Sequence, residues 1–124
     1  NKPDVMFIDQ LDKIKIAGSY DRGDEKLKAL YVQAREICKK ANCLVWATSQ
    51  ASYNGENRQL ITYAMLDNSR TGKAGEADFI IGIGKPSEVD TDGNRILNVS
   101  KNKVNGWHGY VTCSTDFMTG RFYP

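Results

Sequence analysis

A short apolar run followed directly by a carboxylate is the strongest indication of the fold of this chain. The segment Val5–Ile8 reads Val-Met-Phe-Ile, and Asp9 follows it directly. An uninterrupted apolar run predicts a strand that is buried on both faces, as in a parallel sheet. Asp9 then lies at the carboxyl end of the strand, which is the edge where open α/β sheets bind ligands. The segment therefore predicts an α/β sheet with a polar site at that edge.

The rest of the chain alternates between helical and extended patterns. An apolar stripe with helical spacing predicts a helix over residues 25–41, with Asp24 as its N-cap. Residues 50–75 are polar and weakly periodic, and they are predicted to form a long loop. Strands are predicted at 4–9, 43–48, 78–83, 95–101 and 109–113, with a short edge strand within 115–123. The helical crossover predicts that the strands at 5–9, 44–48 and 79–83 are parallel neighbours, followed by an antiparallel extension.

Composition narrows the possible classes of function. The 124 residues are enough for one small domain, and a net charge of +2 means that any contact with nucleic acid must come from a local patch. The 3 cysteines lack zinc-site spacing, so we expect reduced thiols, as in cytosolic proteins. No apolar run approaches the length of a membrane span, so no membrane partner is predicted.

Asp9 is a candidate magnesium ligand. A carboxylate at a strand end can hold Mg²⁺, usually through water, beside nucleotide phosphates, and the segment has the form of a Walker B motif. Buried strands that end in Asp are also common without a metal, so the segment alone leaves both interpretations open. No P-loop is found, because the Gly-Lys pairs at 72–73 and 84–85 are followed by Ala74 and Pro86. Since a P-loop precedes the Walker B strand in such ATPases, we expect a fragment that begins after the phosphate-binding half.

The order of the motifs resembles the C-terminal part of the RecA-type ATPase core of DnaB-like replicative helicases, including the bacteriophage primase–helicases. The resembling stretches span nearly the whole chain: residues 4–9, 44–50, 69–72, 76–81, 96–103 with Gly106 and Gly109, and 118–122. The resemblance implies an α/β chain with a partial RecA-like (P-loop NTPase) fold. In this fold, parallel central strands precede an antiparallel C-terminal extension, and residues 1–124 form a single partial domain.

The resemblance also implies a function. The complete protein would be an ATP-dependent replicative DNA helicase that uses ATP and Mg²⁺. It would form a hexameric ring, hydrolyse ATP at subunit interfaces and translocate on single-stranded DNA in a bacterial or phage-infected cytoplasm. The isolated fragment is expected to be inactive, because the P-loop lysine and the general base would lie upstream. A recombinase ATPase of the RecA or RadA type and a non-catalytic α/β binding module remain the alternatives.

Four residues receive catalytic and cofactor-binding roles from the resemblance. Asp9 would position Mg²⁺, Gln50 would sense the γ-phosphate, and Lys101 and Lys103 would reach the nucleotide bound by the neighbouring subunit. A strand-end Gln also commonly bonds to local backbone. The two lysines lie two positions apart on a predicted strand and so share a face, although a solvated basic edge strand would look the same. Arginine usually occupies the second basic position in the family, and Lys103 offers a point charge instead of a planar fork.

The polar stretch 50–75 is the candidate contact with single-stranded DNA in this resemblance. Its basic side chains would follow phosphates, and its tyrosines or backbone amides would add contacts. The candidate residues are Asn54, Arg58, Arg70 and Lys73. Lys13 and Lys15 mark a second candidate loop, for which a solvated surface is the simpler interpretation. A mobile polar loop is the alternative interpretation of the whole stretch.

Overall fold

The computed structural model describes residues 2–67, 70–86 and 93–124, without the side chains of Arg70 and Thr71. The chain groups into two compact units. The first consists of Asn1–Gln50 and Leu66–Glu76, and the second consists of Ala51–Met65 and Ala77–Pro124. The single partial domain over residues 1–124 stays a prediction.

The first unit contains two parallel strands joined by a long helix. Its elements are β1 (Val5–Ile8), α1 (Gly23–Ala41), β2 (Leu44–Ala47) and the short helix α2 (Arg70–Glu76). The strands pair in parallel, with Val5 opposite Leu44 and Ile8 opposite Ala47. The predicted strand–helix–strand order and the parallel pairing are therefore confirmed for this part of the chain.

Helix α1 begins earlier than the sequence pattern predicts. Its N-cap is Arg22, which makes no side-chain capping bond, so the prediction that Asp24 is the N-cap is wrong. Asp24 lies in the first turn, where its charge suits the positive end of the helix dipole, and it forms an ion pair with Arg22 at 2.9 Å. The helix ends at Ala41, and its C-cap Asn42, with a left-handed backbone (φ 49°), donates its N–H to the carbonyls of Cys38 and Lys39.

The second unit is an antiparallel sheet. Its strands, in spatial order, are β3 (Phe79–Gly84), β4 (Asn94–Asn102), β5 (Tyr110–Asp116) and β6 (Arg121–Tyr123). The predicted antiparallel extension is confirmed. The prediction that residues 79–83 form a third parallel strand beside the first two is wrong, because β3 belongs to the four-stranded sheet, where it pairs antiparallel with β4, and not to the sheet of β1 and β2. The prediction of a strand buried on both faces is also wrong for β1, since Phe7 is 77% exposed, and the equally apolar β3 exposes alternate side chains, with Ile83 at 56%.

Two glycines of β3 let a connecting segment lie directly on the sheet. A Cβ on Gly82 would stand 2.2 Å from the carbonyl oxygen of Ile61, and one on Gly84 would stand 2.0 Å from that of Gln59. Asn98, which is buried, holds the same segment. Its amide oxygen accepts from the Ile61 N–H and its amide nitrogen donates to the Ile61 carbonyl, both at 3.0 Å. Residues 59–61 are therefore fixed on the sheet.

The predicted long loop over residues 50–75 is consequently more ordered than expected. It contains short 3-10 helices at Tyr53–Gly55 and Tyr63–Met65, and it ends in α2. Ser100 Oγ accepts a hydrogen bond from the Tyr63 N–H at 2.6 Å. Ser100 and Asn98, which hold this stretch, are each 37 residues away from their partners in sequence. Periodicity within the stretch carries no information about such long-range partners.

We predict that Gly84→Ala destabilises the protein by about 1–3 kcal/mol, since the new methyl group must displace the backbone of residue 59. The matched control is Gly75→Ala in α2, where a Cβ meets nothing within 4 Å. Alanine is preferred to glycine inside helices, so the control should be neutral or stabilising. Denaturant unfolding of the two variants provides the measurement. Equal stability of both variants would show that the close approach at Gly84 is not tight.

Candidate functional site

The carboxyl ends of β1 and β2 bring Asp9 next to Thr48. Because the strands are parallel and Ile8 lies opposite Ala47, the residues that follow emerge at the same edge. The Thr48 hydroxyl donates to Asp9 Oδ1, and the Thr48 N–H donates to the Ile8 carbonyl at 3.0 Å. Asp9 and Gln50 are both exposed. The prediction that Asp9 and Gln50 follow strand ends at one edge of the sheet is confirmed, whereas their roles stay predictions.

The donors at this edge fit a hard cation. Asp9 supplies carboxylate oxygens and Thr48 a hydroxyl oxygen, which are the ligand types that Mg²⁺ prefers, and Mg²⁺ usually keeps several waters. Among the described residues, no group of three or more His, Cys, Asp or Glu side chains could hold a metal ion. The exposed carboxylate of Asp9 fits an ion that takes its other ligands from water and phosphate oxygens, as Mg²⁺ does.

A buried lysine lies close behind this edge. Lys73 of α2 is only 2% exposed, and its Nζ donates to Asp12 Oδ2 at 2.6 Å and to Ser49 Oγ at 3.1 Å. Ser49 Oγ in turn donates to Asp12 Oδ2 at 3.0 Å, and the Tyr31 hydroxyl donates to Asp12 Oδ1 at 2.8 Å. The ammonium also stands 5.9 Å from the centre of the Tyr31 ring. We call Asp12, Tyr31, Ser49 and Lys73 the lysine network.

The lysine network changes the acidity of Tyr31. Burial raises the pKa of its phenol above the ordinary value of 10.0. The hydrogen bond with Ser49 acts in the opposite direction, and the bond to Asp12 and the charge of Asp12 raise the pKa further. The phenol is therefore a hydrogen-bond donor throughout the neutral pH range. This donor occupies the Asp12 oxygen that Lys73 does not contact.

Gln50 is attached to the segment that leads into α2. Its carbonyl accepts a hydrogen bond from the Asp67 N–H at 3.2 Å. The preceding residue, Ser49, is bonded by Lys73 from α2 itself. Residues 49 and 50 are therefore held by a side-chain hydrogen bond from Lys73 and a backbone hydrogen bond from Asp67.

Lys101 and Lys103 belong to the second unit. Lys101 lies on β4 opposite Ile80, whereas Lys103 lies one residue beyond the end of β4 at Asn102, so the prediction that both lysines lie on this strand is wrong. Lys103 begins the following turn, where its N–H donates to the Asp78 carbonyl at 2.9 Å. Its Nζ stands 3.5 Å from Asp78 Oδ1, and both side chains are about half exposed. An exposed ion pair of this kind contributes little, about 0–1 kcal/mol.

The candidate DNA contacts differ in their accessibility. Asn54 and Arg58 are exposed, whereas the side chain of Arg70, the first residue of α2, lies outside the described residues. The prediction that Lys73 contacts DNA is wrong, because its ammonium is buried and donates hydrogen bonds to Asp12 and Ser49. A mostly polar helix of seven residues offers no sequence signal that one lysine points inward. Lys13 and Lys15 are exposed.

Arg58 also lines an open cavity in the second unit. The cavity has a volume of about 310 Å³, and its wall includes the basic residues Lys85 and Arg95 and the acidic residue Glu56. The Arg95 guanidinium donates to the Asn94 carbonyl at 2.7 Å and stands 5.6 Å from the centre of the Phe117 ring. The wall is therefore basic on balance among the residues named.

Sequence reasoning missed most of the lysine network. The sequence pattern gives Asp12, Tyr31 and Ser49 no functional role, and it places Lys73 only among the candidate DNA contacts. The available signal was positional, because Asp12 and Ser49 follow the two predicted parallel strands closely. Polar residues placed after parallel strands meet at one edge of the sheet.

We predict that Lys73→Met destabilises the protein by about 3–5 kcal/mol, because it leaves the Asp12 charge without its buried partner. The double variant with Asp12→Asn removes both charges and should recover much of this loss. Urea unfolding provides the measurement. Lys28→Met, on the exposed side of α1, is the matched control and should change stability by less than about 0.5 kcal/mol. Equal losses in the single and double variants would contradict the buried ion pair.

We also predict a loss of stability at alkaline pH that depends on Tyr31. Because the folded pKa lies above the ordinary value of 10.0, the folded state keeps a proton that the unfolded state releases. Stability from this group is complete below pH 10 and falls as the pH rises above it. In urea unfolding between about pH 9 and pH 11, Tyr31→Phe should show a shallower decline than the wild type. Tyr53→Phe, at an 86% exposed position, should not. Identical slopes for Tyr31→Phe and the wild type would contradict the prediction.

No helix in the described part of the chain is long and apolar enough to cross a membrane. The chain matches no protein-family model, and no curated protein matches it in sequence. Solved structures do match it. The ATPase domain of a phage protein superposes with a TM-score of 0.82 at 20% sequence identity, over 96% of this chain and 43% of that one.

A second match is a DnaB-like replicative helicase whose structure was described with its interactions with primase. The TM-score is again 0.82 at 20% identity, over 96% of this chain and 29% of the helicase. This chain therefore spans less than half the length of either neighbour. The predicted fold class is confirmed: the chain has a partial RecA-like α/β fold similar to that of the ATPase domains of DnaB-like replicative helicases.

Proposed function

We propose that this chain is the C-terminal part of the ATPase core of a replicative DNA helicase. The helicase would form a hexameric ring, hydrolyse ATP at subunit interfaces and translocate on single-stranded DNA in a bacterial or phage-infected cytoplasm. The observation that carries the proposal is the edge at which Asp9 meets Thr48, within a fold shared with helicase ATPase domains. A phosphate-binding segment would come from elsewhere in the complete protein, so residues 1–124 alone should not hydrolyse ATP.

In this proposal, Asp9 and Gln50 serve the nucleotide in their own subunit. Mg²⁺, when bound with ATP, would neutralise charge on the phosphates. Asp9 would hold the ion's water shell, and the Thr48 hydroxyl orients the carboxylate by donating to Oδ1. The Gln50 amide can donate to or accept from a terminal phosphate and its attacking water. Both side chains are exposed, as a nucleotide contact requires.

Lys101 and Lys103 would act on the nucleotide of the neighbouring subunit. Lys103 pairs with Asp78 at the surface, and a weak exposed pair can be exchanged for a more strongly charged polyphosphate. The Lys103 ammonium would then stabilise charge that develops on the transferring phosphoryl group. Asn54, Arg58 and Arg70 are the proposed contacts with single-stranded DNA, and the side chains of Asn54 and Arg58 are exposed, as such contacts require.

The test measures ATP turnover and strand separation by the full-length protein, with Lys103→Ala as the central variant. We predict that turnover falls far more than ATP affinity, because the charge is needed mainly in the transition state. The loss should be smaller than the factor of about 10³–10⁵ that an arginine finger supplies. Lys28→Ala, an exposed lysine of α1, is the control and should retain full turnover.

Mixed rings test whether Lys103 acts across an interface. Lys103→Ala subunits combined with Asp9→Ala subunits should regain partial turnover, since some interfaces then contain both intact residues. No recovery in demonstrably mixed rings would remove the role in trans. Strand exchange without unwinding would point to a recombinase, and absence of ATP binding by the full-length protein would point to a non-catalytic module.

A further inference from the structure

The lysine network connects the candidate nucleotide edge to α2 through a group that seldom lies inside a protein. Lys73 Nζ contacts Asp12, which follows β1, and Ser49, which follows β2. Lysine is almost never fully buried unless it is paired. Lys73 has such a partner in Asp12: the Lys73 side chain is 2% exposed, and the Asp12 side chain is 16% exposed. Both charged groups are therefore largely desolvated in the ion pair.

Stability alone does not account for this arrangement. Apolar residues of similar volume often replace a buried ion pair with no loss of stability, because they avoid the desolvation of two charges. A charged network differs from an apolar contact in its directionality. Lys73 Nζ has to lie within hydrogen-bond distance of Asp12 Oδ2 and Ser49 Oγ together. The position of Ser49 is thereby set relative to α2.

Gln50 is the neighbour of Ser49, and it has its own link to the same segment. The Gln50 carbonyl accepts from the Asp67 N–H at 3.2 Å, and Asp67 lies just before α2. A shift of the Gln50 backbone toward or away from a phosphate therefore acts on α2 through Ser49 and on Asp67 through the Gln50 carbonyl. Such a shift must either move these groups or break the bonds of Ser49 and Gln50.

We propose that Lys73 is a positioning residue that couples Gln50 to α2, the helix that begins at the candidate DNA contact Arg70. The inference rests on the proposed function, and it assigns Lys73 a place between the nucleotide and the DNA instead of a contact with the DNA. Coupling between two sites is reciprocal, so DNA at α2 also biases the position of Gln50. Asp12 holds the ammonium in place, and Tyr31 holds Asp12.

The experiment measures coupling in the full-length protein. The dissociation constant for a labelled single-stranded oligonucleotide is determined with and without a non-hydrolysable ATP analogue, and the coupling is the ratio of the two. Ser49→Ala removes only the hydroxyl that links Lys73 to the end of β2. Lys73→Met combined with Asp12→Asn removes both charges, so it tests the link without leaving a buried charge unpaired. Lys28→Met, on the exposed side of α1, is the control.

We expect the ratio to fall at least about fivefold toward unity in Ser49→Ala and in the double variant, and to stay at the wild-type value in the control. A wild-type ratio in a double variant that unfolds cooperatively would make Lys73 a purely structural residue and overturn the proposal. If the double variant does not fold, Ser49→Ala decides the question by the same criterion. A wild-type protein that binds single-stranded DNA equally with and without the analogue would overturn the proposed function together with the coupling. Loss of coupling confined to the variants supports both.

Discussion

The contact between Lys73 Nζ and Asp12 Oδ2, 2.6 Å long and almost excluded from water, is the interaction on which the first unit depends. It is made by residues 61 positions apart, and through Tyr31 and Ser49 it ties α1 and the end of β2 to α2. A two-stranded sheet has little apolar surface of its own to bury, and Phe7 of β1 is 77% exposed. Directional polar contacts therefore define the relative positions of the elements around the candidate nucleotide edge.

The second unit is held together mainly by strand pairing and by hydrogen bonds to its connecting segment. Its antiparallel strands pair along most of their length, and the segment at residues 59–61 is held on the sheet by the two hydrogen bonds of Asn98. Glycines at 82 and 84 permit this approach because they have no Cβ. The exposed candidates Asn54 and Arg58 thus extend from a segment with fixed ends. Such support suits a binding loop, since preorganised groups lose less entropy on contact with a ligand.

Local sequence patterns correctly predicted β1 and α1. The uninterrupted apolar run at Val5–Ile8 and the helical spacing of apolar residues in α1 are both local patterns, and both elements form near the expected bounds. The placement of Asp9 at the carboxyl edge follows from strand direction alone. The errors at β3 and at Lys73 have one common cause. β3 is apolar enough for a buried parallel strand, but the direction of its pairing depends on β4, and the inward position of Lys73 depends on Asp12. Neither partner is adjacent in sequence.

The class of the fold and the edge that carries the candidate site follow from the amino-acid sequence, because apolar runs, helical spacing and the residue after β1 are local properties. The order of the motifs resembles that of helicase ATPase cores, and the shared fold agrees with that order. Which charged groups face water depends instead on the folded chain. Asp9 stays exposed, whereas Lys73 is buried against Asp12. The physical reason is that the desolvation of a charge is offset only by partners that the folded chain brings together.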